Sequence, residues 1–414
     1  MYLSMKSKLY VNKEEKYYLN QLTRASKNLY NAALYNVRQH FFKENNHLSY
    51  VDNVKLLKHS INYKLLPTVH AQSTIRKVDE AMKAFFGSLK RGIKTSKLPR
   101  YLKRDGYYPL IDRMVYKPNK QSYSLPVSKR IQQLSFNGLD DALINNLQTI
   151  HKPKLVIKTP SPIHHKNIKE ITIKPSVDGK DFYIHYVYLD TKEVLQVASD
   201  QTNVMGIDFG YNNLAFCATR NDHLLLDGKY IKSLNQWYHK RLAALASKRP
   251  NQNIITKQMK LLTQKRNHQM MYCMYKSAKL IIAFSLKHHI NHIMMGYNKG
   301  FKDINLSKRY NQMARSIPIV KLKDRIAHLA KKHGIKVDII NESYTSKASF
   351  MDKEPLKPYD FSGTRIRRGL FKTKTGHTLN ADLNAALNII RKCNPEFEVG
   401  TRGLNTPKRT HLYG

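Results

Sequence analysis

Asp208 stands inside the apolar run Val204-Met205-Gly206-Ile207-Asp208-Phe209-Gly210. A charged carboxylate is costly to bury there, and the flanking glycines leave room for a ligand or a second backbone to approach. Glu342 follows the strand-like run Val337-Asp338-Ile339-Ile340 and precedes Tyr344-Thr345-Ser346-Lys347, while Asp382 opens the helical pattern Asp382-Leu383-Asn384-Ala385-Ala386-Leu387-Asn388. Taken singly, an acid at a strand end or a helix N-terminus is usually a cap or a dipole partner. Three such acids in a chain with only 29 Asp and Glu suggest a common purpose. Converging carboxylates repel one another unless a divalent cation neutralises them, and a Mg²⁺ pair about 3.5 to 4 Å apart activates water and stabilises the leaving oxygen of a phosphodiester. Oxygen donors suit Mg²⁺, with Mn²⁺ as a substitute, whereas His or Cys ligands would suit another metal.

The acids lie 134 and 40 residues apart, room for a hairpin, a helical pair and a crossover in the first interval and a loop in the second. Strand-like runs begin at 204, 214 and 224. Helical stretches at 234–247 and 254–288 follow, separated by Pro250, then a strand from 292, a helix over 308–332, a strand from 335 and a helix over 382–392. This alternation predicts an α/β layer. If the first strand is central in such a layer, a later parallel strand can end beside it and a helix packed there can supply a third carboxylate.

Upstream, Leu19, Leu22, Ala25, Leu29 and Ala32 recur at threes and fours in a predicted helix over 12–44 with Asn12 as its cap. A second helix over 68–89 has the apolar face Ile75, Val78, Met82, Phe85 and Phe86. The stretch 90–104 carries seven basic residues, Lys90, Arg91, Lys94, Lys97, Arg100, Lys103 and Arg104, with no acid until Asp105 and with Tyr101, Tyr107, Tyr108 and Tyr116 nearby. Basic residues interleaved with tyrosines suit phosphate tracking and base stacking. Short alternating runs over 122–189, with a Val177-Asp178-Gly179-Lys180 turn, predict an antiparallel sheet or small barrel.

With 72 Lys and Arg the net charge is +43, which points to a polyanionic partner, nucleic acid foremost. The length allows two to four domains. No signal-peptide pattern follows Met1 to Lys8, no apolar run suits a membrane span, and Cys217, Cys273 and Cys393 are too scattered for a disulfide framework. The expected location is a reducing bacterial cytoplasm, with association to the nucleoid through DNA.

GIDFGYNNLA (206–215), NESYTSKASF (341–350) and NADLNAALNIIRK (380–392) resemble the three RuvC-type nuclease motifs of TnpB proteins, the transposon-encoded relatives of type V CRISPR effectors. The segment 66–92 with LPRY at 98–101 is similar to that family's recognition helix and its basic sequel. The resemblance implies α/β, all-α and β-barrel parts: an OB-like wedge barrel over 1–15 and 118–199, a helical recognition lobe over 16–117, and an RNase H-like RuvC domain over 200–414. It implies RNA-guided, Mg²⁺-dependent cleavage of double-stranded DNA, with Asp208, Glu342 and Asp382 as catalytic metal ligands. The partners implied are a guide RNA, of transposon-end or CRISPR type, and target DNA, without a membrane. Thr68, Gln72 and Arg76 open the helix that would read a short adjacent motif, Gln being suited to adenine.

Two departures matter. The family usually carries a four-cysteine zinc ribbon between its second and third motifs, yet here Ser349 and Asp352 fall at the first cysteine pair and 343–381 has no cysteine. A zinc-free basic loop is expected instead, with Arg365, Arg367 and Arg368 contacting nucleic acid and the loop gating the site. Asn380 stands where the family often has Asp. Alternatives are an RNA-guided DNA-binding repressor and a guide-independent RNase H-like nuclease. His288, His289 and His292 read as helix-end residues with no carboxylate nearby, and Met270, Met271 and Met274 as packing.

Overall fold

The computed structural model describes residues 2–93, 95–113, 121–126, 154–164, 166–176, 181–190, 202–298, 311–312, 316–367, 369–400, 404, 407 and 409–412. They fall into two units, Met1–Lys192 and Glu193–Gly414.

The first unit opens with β1 (Tyr2–Leu9) and α1 (Lys13–Glu44). Asn12 caps α1 in a reciprocal box: its side chain accepts from the Glu15 amide at 2.8 Å, and the Glu15 carboxylate accepts from the Asn12 amide at 3.0 Å. Such a cap contributes about 1 kcal/mol. Helices α2 (Tyr50–Leu57), α3 (Ile61–Leu65) and α4 (Thr68–Lys90) follow, and Ile75, Val78 and Met82 of α4 are buried as its periodicity predicts, with Phe85 and Phe86 half-buried. Strands β2 (Leu110–Asp112), β3 (Ser122–Pro126), β4 (Lys154–Lys158), β5 (Asn167–Pro175) and β6 (Phe182–Leu189) complete the unit. The main sheet runs β1-β6-β5-β2, and β3 pairs with β4 alone. Among the described residues this sheet is open, with β1 and β2 at its edges and β3-β4 a separate ladder, so barrel closure, one of the expected arrangements, is not seen. Helices and sheets share one hydrophobic core, from Leu19 and Ile75 to Ile171 and Phe182. The Tyr123 hydroxyl of β3 donates to Asp112 of β2 at 3.0 Å and lies 3.2 Å from His70 Nε2 of α4, so α4 is tied into both sheets. The 177–180 turn and Tyr116 lie outside the described residues.

The second unit contains β7 (Val204–Phe209), β8 (Asn213–Ala218), β9 (His223–Asp227), α5 (Lys229–Ser247), α6 (Lys257–Lys287), β10 (His292–Gly296), α7 (Ile319–Lys332) and β11 (Lys336–Ile340). It ends with β12 (Thr364–Arg367), β13 (Leu370–Lys372), β14 (Thr378–Asn380), α8 (Ala381–Arg391) and β15 (Arg409–Thr410). The main sheet has the order β11-β10-β7-β8-β9-β15. β7, β8 and β9 form an antiparallel meander, while β10 and β11 join β7 in parallel through helical crossovers. The fold is thus mixed α/β.

Two expectations change. The helix expected over 308–332 is broken at Ile317-Pro318: Asn311, Gln312 and Ser316 are helical, α7 then runs from Ile319 with Pro318 as its cap, and 308–310 lie outside the described residues. The 343–381 segment, expected as a loop, carries the small antiparallel sheet β12-β13-β14. Among the described residues no helix is long and apolar enough to cross a membrane.

Candidate catalytic pocket

Asp208 lies at the C-terminal end of the central strand β7, and Glu342 lies two residues beyond β11. Asp382 sits in the first turn of α8, whose cap is Asn380: its side chain accepts from the Asp382 and Leu383 amides at 2.9 and 3.1 Å. Asn at 380 is thus a good helix cap, which gives the departure from Asp a local role. Helix α8 lies directly on β7. A Cβ at Gly206 would meet the Ala386 carbonyl oxygen at 2.2 Å, so the glycine is what allows this approach. The three acids line one pocket of about 920 Å³ together with Lys229, Lys232, Arg365 and Arg409. Arg409 comes from β15, the edge strand beside β9.

The electrostatics follow from this crowding. Burial first, then Asp382 and Glu342, push the Asp208 carboxyl well above its usual range, with Arg365 opposing. Burial likewise raises Glu342, opposed by the Asn298 backbone amide, Lys323 and Lys392. Lys392 Nζ donates to the carbonyls of Asn341 and Ser343 at 2.8 and 2.7 Å, straddling Glu342. Lys323 is buried on α7 with its ammonium 3.3 Å from the Tyr297 ring centre. Just past Glu342 the chain turns sharply at Tyr344, a left-handed residue with φ 67°. The Asp382 carboxylate accepts from Asn213 Nδ2 at 2.6 Å and pairs with Arg365 at 3.5 Å.

Hard oxygen donors are what a Mg²⁺ or Mn²⁺ site requires, and the burial and mutual repulsion that raise the Asp208 carboxyl are what a bound cation would offset. Among the described residues, however, no three His, Cys, Asp or Glu side chains stand ready as a closed cation cage. The acids share one pocket and feel one another electrostatically, while Asp382 is engaged by Asn213 and Arg365. The donor chemistry fits; the cation would have to draw the three side chains together.

Two side chains that sequence reasoning passed over hold the pocket wall. Asn384 and Asn388 are fully buried on α8. Asn384 accepts from the Phe350 amide at 2.9 Å and donates to the Ala348 carbonyl at 2.8 Å. Asn388 donates to the carbonyls of Thr345 and Ala348 at 2.9 and 2.7 Å. Their four-residue spacing within a Leu- and Ala-rich helix was the available signal. Lys232, which donates to Asn212 at 2.6 Å, was also missed.

Of the residues expected to contact nucleic acid, Thr68, Gln72 and Arg76 are exposed at successive turns of α4, with Arg76 4.6 Å from the Tyr50 ring centre. Lys90, Arg91, Lys97, Arg100, Lys103 and Arg104 are all exposed. The backbone of this strip is pinned to α1: Asn31 exchanges two hydrogen bonds with Leu102, at 3.0 and 2.8 Å, and Lys27 donates to the Arg104 carbonyl at 2.8 Å. Arg38 and Arg24 lie over Tyr101 and Tyr107, so these two rings already have cationic partners. Arg365 and Arg367 are exposed on β12, and only Arg365 lines the pocket. Lys94 and Arg368 lie outside the described residues.

The histidine reading holds in part: His288 is the C-cap of α6, as expected of a helix-end residue, but carboxylates do lie near these rings. His292 belongs to β10, and its Nε2 is 2.8 Å from Asp338 of β11, while His288 lies 3.4 Å from Asp222. Carboxylates that are distant in sequence reach these rings through the sheet. Met270 and Met274 are buried in the core, as expected.

Comparison with known proteins gives the class first. The chain has the fold of a Cas12-type protein: it superposes on the cryo-EM structure of a Cas12f1–sgRNA–target DNA complex with a TM-score of 0.63 and 16% identity, covering 91% of this chain and 83% of that one. Residues 185–302 match the family model OrfB_IS605, described as a probable transposase, and 320–389 match the Cas12f1-like TNB domain. The TnpB-like protein ORF457 of Acidianus two-tailed virus is 25% identical over 398 residues, covering 90% of this chain and 83% of that protein. Together these matches make the chain similar to TnpB-type proteins.

Proposed function

We propose that this chain is an RNA-guided endonuclease of transposon origin that hydrolyses DNA phosphodiesters at the pocket built on Asp208, Glu342 and Asp382. The observation that carries this reading is the meeting of three carboxylates from three distant elements in one pocket bordered by Lys229, Lys232, Arg365 and Arg409. The similar Cas12f1 structure was determined with a guide RNA and target DNA, which supports the same partners here. In this reading the second unit is an RuvC-type, RNase H-like nuclease. The first unit supplies the wedge, over 1–15 and 118–199, and the recognition lobe, over 16–117. Thr68, Gln72 and Arg76 read a short motif beside the target, and the 90–104 strip tracks a nucleic-acid backbone.

Mg²⁺ held by the oxygens of Asp208, Glu342 and Asp382, as one ion or a pair, would supply an activated water and charge stabilisation at the leaving oxygen. The protein's own groups do the rest. Lys323 and Lys392 favour the ionised form of Glu342 despite its burial. Asn213 orients Asp382, and Arg365 and Lys232 offer charge to the scissile phosphate. Arg365 pairs with Asp382 at 3.5 Å, so it would compete with a cation for that carboxylate.

The test is to express the chain with its flanking DNA, sequence the RNA that copurifies at high salt, and challenge the complex in Mg²⁺ with plasmids carrying the guide match beside randomised flanks. Depletion of one flank, reduced about a hundredfold or more by Asp208→Ala with guide binding retained, is expected. Cutting that survives this substitution removes Asp208 from the mechanism. A defined bound RNA with no depletion would favour guided binding without cleavage, a reading in keeping with the engagement of Asp382 by Asn213 and Arg365. Depletion that needs no RNA would favour a guide-independent nuclease.

A further inference from the structure

We propose that Glu354 is a positioning residue: its carboxylate fastens the sheet β12-β13-β14 to the nuclease unit, the task a structural metal performs in a ribbon, and so sets Arg365 over the catalytic pocket. The proposal rests on the endonuclease reading and extends it to a residue outside the pocket.

The 343–381 segment has no cysteine, yet it folds. Phe371 of β13 and Leu379 of β14 are buried with Ala381, but every β12 residue is exposed, so apolar burial does little for β12 and something else must tie its end. Glu354 has 6% of its surface exposed and uses both oxygens. One oxygen accepts from the Ser349 amide at 2.7 Å. The other accepts from the Ser362 amide at 2.7 Å, the Ser362 hydroxyl at 2.6 Å and the Gly363 amide at 3.3 Å. A single side chain thus closes the loop between the turn that leaves the second motif and the residues that enter β12. The Glu354 carbonyl in turn accepts from the Arg391 guanidinium of α8, the helix that carries Asp382.

Burial alone would raise this carboxyl. The Ser362 hydroxyl and the amides of Ser349, Ser362 and Gly363 outweigh that effect and hold it below its usual range, as expected for an ion among convergent donors. A second carboxylate adds to the fastening: Asp352 accepts from the Lys374 amide at 2.9 Å, at the turn between β13 and β14. Both carboxylates thus gather this segment through carboxylate-to-amide bonds. Gly363 explains the tightness of the joint, since a Cβ there would meet the Phe371 ring at 2.6 Å. Two residues beyond Gly363, Arg365 reaches Asp382.

The experiment uses the full chain and compares wild type, Glu354→Ala, Glu354→Gln, Arg365→Ala and the Glu354→Ala/Arg365→Ala double variant. Without the carboxylate, trypsin should cleave after Arg365 and Arg367 about tenfold faster, with Glu354→Gln in between because it keeps one acceptor. Guided cutting should fall by about tenfold, and Glu354→Ala should cost little more once Arg365 is gone, since both changes act through the same group. Purified protein should hold its trypsin resistance through zinc chelation. Stoichiometric zinc lost together with that resistance would overturn the proposal, as would wild-type proteolysis of Glu354→Ala or multiplicative effects of the two substitutions. Proteolysis and metal content need no nuclease activity, so they decide the role of Glu354 even if the wild-type chain does not cut.

Discussion

Asn388 shows how a neutral side chain can matter as much to the pocket as a carboxylate. It has no exposed surface and donates to two carbonyls in the segment that follows Glu342. Asn388→Ala would leave the Thr345 carbonyl without this donor in a closed environment, while Ala348 would keep Asn384. A loss of about 1 to 3 kcal/mol of stability is expected, read as a lower denaturant midpoint at unchanged slope. The three acids were legible because charge inside an apolar run is rare in a chain so poor in acids. The asparagines were not, because an Asn on a helix is usually a surface residue and only the packing of α8 reveals which face closes. His292 failed as a sequence reading for a related reason: its partner Asp338 lies 46 positions away and becomes a neighbour only through the β10–β11 pairing.

Among the elements, α8 and β7 form the joint on which the site depends. Gly206→Ala would place a methyl 2.2 Å from the Ala386 carbonyl oxygen, a backbone atom that no rotamer change can move. The helix would have to lift, carrying Asp382 away from Asp208. Destabilisation of about 1 to 3 kcal/mol is expected, with cutting lost out of proportion to the fall in melting temperature and guide binding retained. A melting curve and a cleavage assay on the same sample check this. The long helices α1 and α4 were legible within a residue or two because their apolar residues repeat at threes and fours over many turns. The sheet β12-β13-β14 was not: β12 is exposed at every position, and β13 and β14 have three residues each with a single buried apolar side chain apiece, Phe371 and Leu379, too short a pattern to read.

At the scale of the whole molecule, the net charge of +43 sets what the proposed function predicts about salt. Affinity for the guide RNA should fall steeply with salt, because each neutralised phosphate releases counterions. Replacing Lys97, Arg100 and Lys103 together by Ala should lower the slope of log affinity against log salt by about 0.7 to 0.9 for each phosphate contact removed. Stability should barely change, since all three side chains are exposed. Titration at several ionic strengths measures this, and an unchanged slope would remove the strip from the binding surface.

The sequence by itself pointed to a polyanionic partner through its charge, singled out the three acids that share the pocket, and marked out the long helices and central strands through their periodicity. These properties are local or additive, so they need no knowledge of the fold. Tertiary structure alone decided that the first sheet stays open among the described residues, that α8 can rest on β7 at Gly206, that Asn384 and Asn388 brace the loop after Glu342, and that Glu354 gathers Ser349, Ser362 and Gly363. Each of these depends on atoms brought together from distant parts of the chain, and which donor meets which acceptor is settled only when helices and strands pack.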